Sequence, residues 1–201
     1  MTRKKIEKIK NIFKNNNYVV KTALLRKFDI SSRDVKELLD SKYLKKLKTG
    51  YYFWDEKFDN FLDFEIAKML IPDGIISVFS SAGILELTTN NPVSVCITLP
   101  ASQLKPVLPK YPPIEIFYAS DKNISLGLID YQSENMVLPM YNAERTVCDL
   151  FKYNNKISND VALEALKNYM KSKTKNLQLL MEYATKLRVR AKIKMYTEAM
   201  L

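Results

Sequence analysis

The chain has 201 residues, 47% of them hydrophobic, so it is long enough to bury a core and to form one large domain or two small ones. Its formal net charge of +10 indicates an anionic partner such as nucleic acid, although an A+T-rich coding sequence also enriches lysine. There is no histidine, and Cys96 and Cys148 lie far apart in apolar contexts, which excludes the common zinc-site patterns and predicts two reduced core thiols.

The chain begins with an amphipathic pattern. Ile6, Ile9, Ile12 and Phe13 recur at spacings of three and four between lysines, which predicts a short helix with one apolar face. A secretory signal would have an apolar block here, and no run of 18 apolar residues occurs anywhere. We therefore expect a cytoplasmic protein with no membrane partner.

Two further helices are predicted before residue 43. Thr22 is a suitable N-cap for the second helix, which Asp29 and Ile30 end. Ser31 and Asp34 have the spacing of a capping box, in which each side chain accepts a hydrogen bond from the backbone amide of the other residue. The third helix therefore begins beside Ser31. Its predicted buried face consists of Val35, Leu38 and Leu39.

A basic hairpin follows these helices. Residues 44–48 and 51–54 are β-prone stretches separated by Thr49 and Gly50, and the first stretch contains three lysines.

The balance of charge changes along the chain. Residues 1–54 hold 15 basic and 5 acidic residues, residues 61–150 hold 5 basic and 10 acidic residues, and residues 151–201 hold 11 basic and 4 acidic residues. Because an acidic middle separates two basic ends, we expect the segments to face different partners. We place a domain boundary at residues 55–60, between domains spanning residues 1–56 and 61–201.

The predicted elements have the layout of a winged helix-turn-helix, which is two helices, a tight turn, a third helix and a basic hairpin. In this fold the third helix enters the major groove of double-stranded DNA. In this layout the start of the third helix faces the base edges, and an arginine there pairs best with guanine. The candidates for base contacts are Ser32, Arg33 and Lys36, and those for phosphate contacts are Thr22, Lys45, Lys46 and Lys48. The alternative is a small helical subdomain with a solvated lysine face.

The remaining residues predict a larger mixed α/β domain that ends in helices, so the whole chain is assigned to the α+β class. Helices are expected over residues 61–71 and 81–87, and strands over 93–99, 114–118, 126–131 and 136–140. Three helices are predicted over residues 142–153, 158–171 and 176–201, the last with a break near Arg188.

An enzymatic function finds little support in these residues. Pro72 and Asp73 resemble the opening of a metal-dependent nuclease signature, but that signature also needs an acidic residue two positions before a lysine on a strand, and Glu115 is followed by Ile116 and Phe117. The four glycines are too scattered for a phosphate-binding loop. We therefore predict no catalysis, no metal site and no cofactor.

The most distinctive string of the second domain is residues 142–150. Asn142 is a natural N-cap, and Arg145 and Asp149 are four residues apart, so they are expected to pair on an exposed helix face and to contribute only about 0.3–0.5 kcal/mol. Val147 and Leu150 are expected to be buried. The alternative is that the string forms a recognition spot for a partner.

Together with residues 22–24 and the hairpin, this string resembles the AbiEi family, the antitoxins of abortive-infection type IV toxin–antitoxin systems. Residues 50–52 resemble the Gly-Val-Tyr end of the family's wing. Residues 143–150 resemble its Pro-x-Arg-Thr-x-x-Asp-Leu helix, with alanine in place of proline. Residues 79–85 match its Ser-His-x-Ser-Ala-Leu segment only in part, because the histidine is missing. The family motif thus falls on Arg145, Thr146 and Asp149.

The resemblance implies an antitoxin that represses its own operon by binding inverted repeats in double-stranded DNA. It also implies that the second domain counteracts a nucleotidyltransferase toxin without a stable complex. A ligand-responsive transcriptional regulator without a toxin is the alternative. The basic carboxy-terminal residues Arg188, Arg190, Lys192 and Lys194 either add phosphate contacts or form a solvated face, and the sequence leaves both possibilities open.

Overall fold

The computed structural model describes residues 1–198. The first 54 residues fold in the order helix, strand, helix, helix, strand, strand. These elements are α1 (Arg3–Lys14), β1 (Val19–Lys21), α2 (Thr22–Lys27), α3 (Ser32–Asp40), β2 (Leu44–Lys48) and β3 (Tyr51–Trp54). The three predicted helices and the hairpin are confirmed, and the short strand β1 is additional.

The three strands form an antiparallel sheet in the order β1-β3-β2. The three helices pack on this sheet through a shared apolar core. The largest fully buried members of that core are Ile9, Phe13, Leu25, Leu38 and Trp54. Because α3 contributes only its Val35–Leu38–Leu39 side to this core, its opposite side is left to solvent.

The starts of α2 and α3 differ in their capping. The Ser31 Oγ accepts from the Asp34 amide at 3.2 Å and Asp34 Oδ2 accepts from the Ser31 amide at 2.9 Å, which confirms the predicted capping box. Thr22, by contrast, is the first residue of α2, and the N-cap is Lys21, which makes no side-chain cap. The Thr22 cap prediction was wrong by one position, because Lys21 is the last extended residue, with a φ of −81° and a ψ of 147°, and the helix already includes Thr22.

Residues 55–60, where the domain boundary was predicted, form a 3-10 helix, Asp55–Asn60. Phe58 in this helix is buried, and its ring packs edge-on against Phe53 with the centroids 5.3 Å apart. Leu47, Phe53 and Phe58 belong to the same core cluster as Ile66 and Leu70. The amino-terminal unit therefore shares apolar contacts with the rest of the chain, and the domain boundary itself stays a prediction.

The second part of the chain is a mixed sheet with helices, which confirms the α+β class. Its elements are α4 (Asp63–Leu70), β4 (Ile75–Ile76), α5 (Val78–Ile84), β5 (Val95–Pro100), β6 (Ile114–Ala119), a 3-10 helix (Asp121–Asn123), β7 (Leu128–Gln132), β8 (Val137–Tyr141), α6 (Ala143–Lys152), α7 (Asn159–Lys171), α8 (Leu177–Lys186) and α9 (Arg190–Glu198). The strand order is β6-β5-β4-β8-β7. β4 pairs antiparallel with β5 and parallel with β8, β5 pairs parallel with β6, and β7 with β8 forms an antiparallel hairpin.

The helical carboxy-terminal part is confirmed, including the break near Arg188. Arg188 has a φ of +63°, a left-handed conformation that ends α8 and redirects the chain into α9. The helices α6–α9 pack around one apolar cluster that includes Cys148, Leu166, Leu180 and Ile193. The final residues of the predicted last helix, 199–201, lie outside the described residues.

Within residues 1–198, every helix is too short or too polar to cross a membrane.

Candidate nucleic-acid interface

The start of α3 presents its polar side to solvent. Ser32, Arg33 and Lys36 are exposed, whereas Val35 and Leu38 on the opposite side are buried. This division follows the 3.6-residue helical period, because positions 35 and 38 lie one turn apart on the core side. The three residues predicted to face base edges are thus on one accessible helix face, and none is packed against the second part of the chain.

Two of the acidic residues of α3 pair with cations near the start of the chain, the amino group of Met1 and the α1 residue Lys5. Lys5 Nζ lies 2.7 Å from Asp34 Oδ1, and the Met1 amino group donates to the Glu37 carboxylate. In residues 1–198, no such ion pair involves Arg33 or Lys36. The exposed face of α3 therefore retains its two cations, while two of its three carboxylates are neutralised, which favours an anionic ligand at this face.

The contacts of Asp34 lead to a pH prediction. The hydrogen bond from Lys5, followed by those from the Ser31 amide and hydroxyl, lowers the pKa of Asp34 from 3.8 to about 2. Because the folded-state pKa is lowered, the stabilisation is present above pH 3.8 and is lost as the pH falls through about 2. We expect an NMR titration of the Asp34 carboxyl carbon to give this lowered pKa, and the Lys5→Ala variant to shift it upward. An Asp34 pKa near 3.8 in the unsubstituted protein would contradict the contact.

The three hairpin lysines occupy different environments. Lys46 is exposed, and its ammonium group makes no hydrogen bond or ion pair within the described chain. Lys45 is also exposed, and its Nζ lies 3.6 Å from the centroid of the Phe58 ring, a cation–π contact. Both remain candidates for phosphate contacts, with Lys46 the less constrained of the two.

Lys48 differs from the other two because it is tied to the second part of the chain. Its Nζ donates to Leu70 O and to Val107 O, each at 3.1 Å. Burial, and then the nearby Lys21 ammonium, lower the pKa of Lys48. Two of its three donors are therefore used inside the protein, so the prediction of a free phosphate contact does not fit its observed position. Lys48 instead joins the hairpin to the rest of the fold.

Thr22 is half-buried at the start of α2, close to Gly50 in the hairpin turn. Gly50 has a φ of +77°, a left-handed conformation that the tight turn requires and that glycine adopts without steric cost. Thr22 thus lies beside the hairpin turn, and its partial exposure leaves the predicted phosphate contact as a prediction.

A cavity of about 670 Å³ lies between the hairpin and the second part of the chain. Lys21 and Lys48 both contact the ring of Tyr51 there, with their Nζ atoms 5.3 and 4.4 Å from its centroid. The opposite wall comes from residues 70–73, 103, 106 and 107. Sequence patterns cannot identify this site, because its two walls are up to 86 residues apart in the chain and meet only through folding.

The family motif on α6 lies in the core. Arg145 Nε donates to Asp149 Oδ2 at 2.9 Å, as the four-residue spacing predicts, but both side chains have 0% exposure. The expectation of an exposed pair was wrong. The guanidinium also donates through Nη1 to Asn123 O and Leu126 O at 2.7 and 3.1 Å, and it stacks 4.2 Å from the Tyr141 ring centroid.

Thr146 is also fully buried. Its Oγ1 lies 2.9 Å from Ser81 Oγ, which joins α6 to α5. Arg145, Thr146 and Asp149 therefore hold neighbouring segments together and are out of reach of a partner. The alternative of a recognition spot at these three residues does not fit their burial.

The basic carboxy-terminal residues are accessible. Arg188, Arg190, Lys192 and Lys194 are all exposed, and Lys194 Nζ lies 3.5 Å from Glu198 Oε1. Their exposure fits both possibilities, a phosphate contact and a solvated face.

Among residues 1–198, no three side chains of the metal-binding types cluster closely enough to hold a metal ion. No protein-family model matches the chain, and neither does any curated protein. The fold is similar to the crystal structure of the RV2827C protein from Mycobacterium tuberculosis, with a TM-score of 0.55 and 14% sequence identity over 94% of this chain and 78% of that one. At this identity the likeness concerns the fold alone.

Proposed function

We propose that residues 1–54 form a winged helix-turn-helix that binds double-stranded DNA, with α3 in the major groove and the β2–β3 hairpin along the phosphates. One observation carries the proposal: α3 exposes Arg33 and Lys36, free of ion pairs within the described residues, while Lys5 of α1 and the Met1 amino group pair with Asp34 and Glu37. The strand order β1-β3-β2, with α2 and α3 inserted between β1 and β2, supports it.

The exposed cations fit the chemistry of a DNA groove. An arginine at the start of a groove-bound helix reaches guanine O6 and N7 with two parallel hydrogen bonds. Lys46, free on the hairpin, suits a phosphate oxygen, which fixes the position of the domain without reading sequence. Ser32 adds a short hydroxyl that can donate to or accept from a base edge.

We further propose that the protein is a cytoplasmic, non-catalytic antitoxin of the AbiEi type. In this proposal it represses its own operon at inverted repeats and counteracts a nucleotidyltransferase toxin through its second part without a stable complex. The resemblance of the α6 string and the hairpin to that family supports this step. The buried positions of Arg145, Thr146 and Asp149 give the α6 string a structural role, so neutralisation relies on other residues.

The DNA-binding proposal predicts steep salt dependence. We expect the full-length protein to bind the region upstream of its own gene more tightly than a scrambled duplex. The logarithm of its affinity should fall with the logarithm of salt concentration by about 0.9 per phosphate neutralised. Fluorescence anisotropy at several salt concentrations measures both quantities. Equal affinity for both duplexes at every salt concentration would contradict sequence-specific repression.

The antitoxin proposal needs a separate test. A nucleotidyltransferase gene encoded next to this chain, when expressed alone, should arrest growth, and co-expression of this protein should restore it. A chain carrying Arg33→Ala should restore growth equally well, since neutralisation is assigned to the second part. If co-expression leaves the arrest unchanged, or if no such gene adjoins this one, a DNA-binding regulator without a toxin is the better description.

A further inference from the structure

The segment between β5 and β6 contains a loop, residues 101–110, beside the tip of the hairpin. Val107 O in this loop accepts from Lys48 Nζ at 3.1 Å, and Leu108 packs against the core cluster that includes Leu47 and Phe53. The loop thus contacts the hairpin side of the fold in two ways, through a hydrogen bond to its backbone and through the packing of one apolar side chain. The loop and the hairpin tip are therefore neighbours on the surface of the protein.

The loop presents two large apolar side chains to solvent. Leu104 is 89% exposed and Val107 is 72% exposed. Pro106 and Pro109 fix two φ angles of the segment, which lowers the conformational entropy that the loop loses when it is ordered by a partner. Single exposed apolar residues are common, but these two lie three positions apart on one loop whose Val107 O and Leu108 are anchored to the hairpin side of the fold.

The surroundings of these side chains are cationic. Lys105 and Lys110 in the loop are exposed, and within the described chain neither makes an ion pair or hydrogen bond through its ammonium group. Lys21 and Lys48 line the cavity that separates the loop from the hairpin. Asp73 is the one carboxylate on that cavity wall among the described residues, and Gln103 Nε2 lies 3.5 Å from it.

An apolar tip flanked by lysines is the combination that proteins use on the minor groove of DNA. Leucine and similar side chains insert there against or between base steps, while lysines contact the adjoining phosphates. A protein partner would instead favour an apolar patch with few lysines, because lysine is depleted at protein interfaces.

We propose that the 101–110 loop is a second DNA contact, in which Leu104 enters the minor groove beside the hairpin and Lys105 contacts a phosphate. This inference rests on the proposed DNA binding by α3 and extends it to a part of the chain outside the predicted DNA-binding domain. The hairpin and the loop then bind as one surface, since Lys48 and Leu108 hold them together.

The test combines footprinting with binding measurements on the full-length protein. The double variant Leu104→Ser with Lys105→Ala is compared with a matched control, Val93→Ser with Lys122→Ala, whose two residues are also exposed, the first on a loop and the second in the 3-10 helix Asp121–Asn123. All four side chains are exposed, so unchanged circular dichroism and Tm verify that both variants fold. The probes are the upstream duplex at full length and the same duplex shortened on the hairpin side by about one helical turn, roughly 10 base pairs.

The loop variant is expected to bind the full-length duplex about fivefold more weakly than the control and to lose hydroxyl-radical protection in the minor groove on the hairpin side. On the shortened duplex the two variants should bind alike. Suppose that the loop variant binds the full-length duplex as tightly as the control does, while Arg33→Ala loses binding. The loop inference is then overturned and the DNA-binding proposal stands. The loop then serves a different partner. If the unsubstituted protein binds neither the upstream duplex nor scrambled DNA, both are overturned.

Discussion

Replacing Asp149 with alanine is expected to lower the free energy of unfolding by about 3–5 kcal/mol. The substitution leaves the fully buried Arg145 guanidinium without the carboxylate that lies 2.9 Å from its Nε. Burial raises the pKa of Asp149, and Arg145 opposes that shift, so each charge depends on the other. The guanidinium keeps only the carbonyls of Asn123 and Leu126 and the Tyr141 ring, which are neutral.

The chain offers a matched control for this substitution. Lys186 and Glu182 on α8 also form an i,i+4 pair, at 2.6 Å, but both side chains are 50% exposed. Glu182→Ala should therefore cost below about 1 kcal/mol. Urea denaturation followed by circular dichroism measures both variants. A similar small loss for Asp149→Ala and Glu182→Ala would show that burial of the first pair has no energetic consequence.

A double substitution separates the two possible sources of the loss. If the cost comes from an unpaired buried charge, Arg145→Met combined with Asp149→Leu should be more stable than Asp149→Ala alone, because it removes both charges and keeps apolar volume. If the double variant is the less stable one, the hydrogen bonds from Arg145 to Asn123 O and Leu126 O account for most of the stabilisation.

Most helices could be predicted because their signals are local. The capping box at Ser31 and the apolar spacing of α3 lie within a single helix, and α6 begins after Asn142, whose side chain accepts from the Arg145 amide at 3.0 Å. Strand β4 was missed. It has only two residues, Ile75–Ile76, and it is a strand because β5 and β8 flank it, which no window of sequence shows.

The burial of Arg145 was missed for a different reason. A charged residue on an amphipathic helix is normally assigned to the solvent side, and the four-residue spacing to Asp149 fits an exposed pair equally well. What buries it is the loop that includes Gly127, which lies across the start of α6. A Cβ built on Gly127 would come within 2.6 Å of the Arg145 Cβ. That packing joins residues 18 positions apart and leaves no periodic signal.

The position of Lys48 depends on how the two parts of the chain are oriented. From the sequence, Lys45, Lys46 and Lys48 are equivalent hairpin lysines. The bulge between Lys46 and Lys48 changes the register with β3 and turns Lys48 toward Leu70 O and Val107 O. Local patterns therefore identify the candidate DNA surface, and the packing of the second part determines which of its lysines stay free.

Arg33→Ala is expected to weaken binding to the upstream DNA by about 1–3 kcal/mol, roughly 5- to 150-fold, and to relax the preference for guanine at one position of each half-site. Arg33 is exposed at the start of α3 with no ion pair in the described part of the chain, so the loss reflects DNA contacts rather than folding. Lys46→Ala should weaken upstream and scrambled duplexes alike and reduce the salt slope by about one, because a phosphate contact carries no sequence information.

The Arg33→Lys variant separates the effect of charge from that of base recognition more directly than Arg33→Ala does. It keeps the charge at the same place but cannot make the two parallel hydrogen bonds that a guanidinium makes to guanine. The lysine variant should therefore retain binding to scrambled DNA at the level of the unsubstituted protein and lose most of the preference for the upstream sequence. Competition anisotropy with both duplexes resolves the two effects. Two outcomes would contradict this assignment: Arg33→Lys keeps the full preference, or Arg33→Ala and Lys46→Ala lower the affinities for both duplexes equally. In either case α3 does not read base edges in the major groove. An arginine bound to base edges must discriminate among bases, whereas an arginine bound to the phosphate backbone need not.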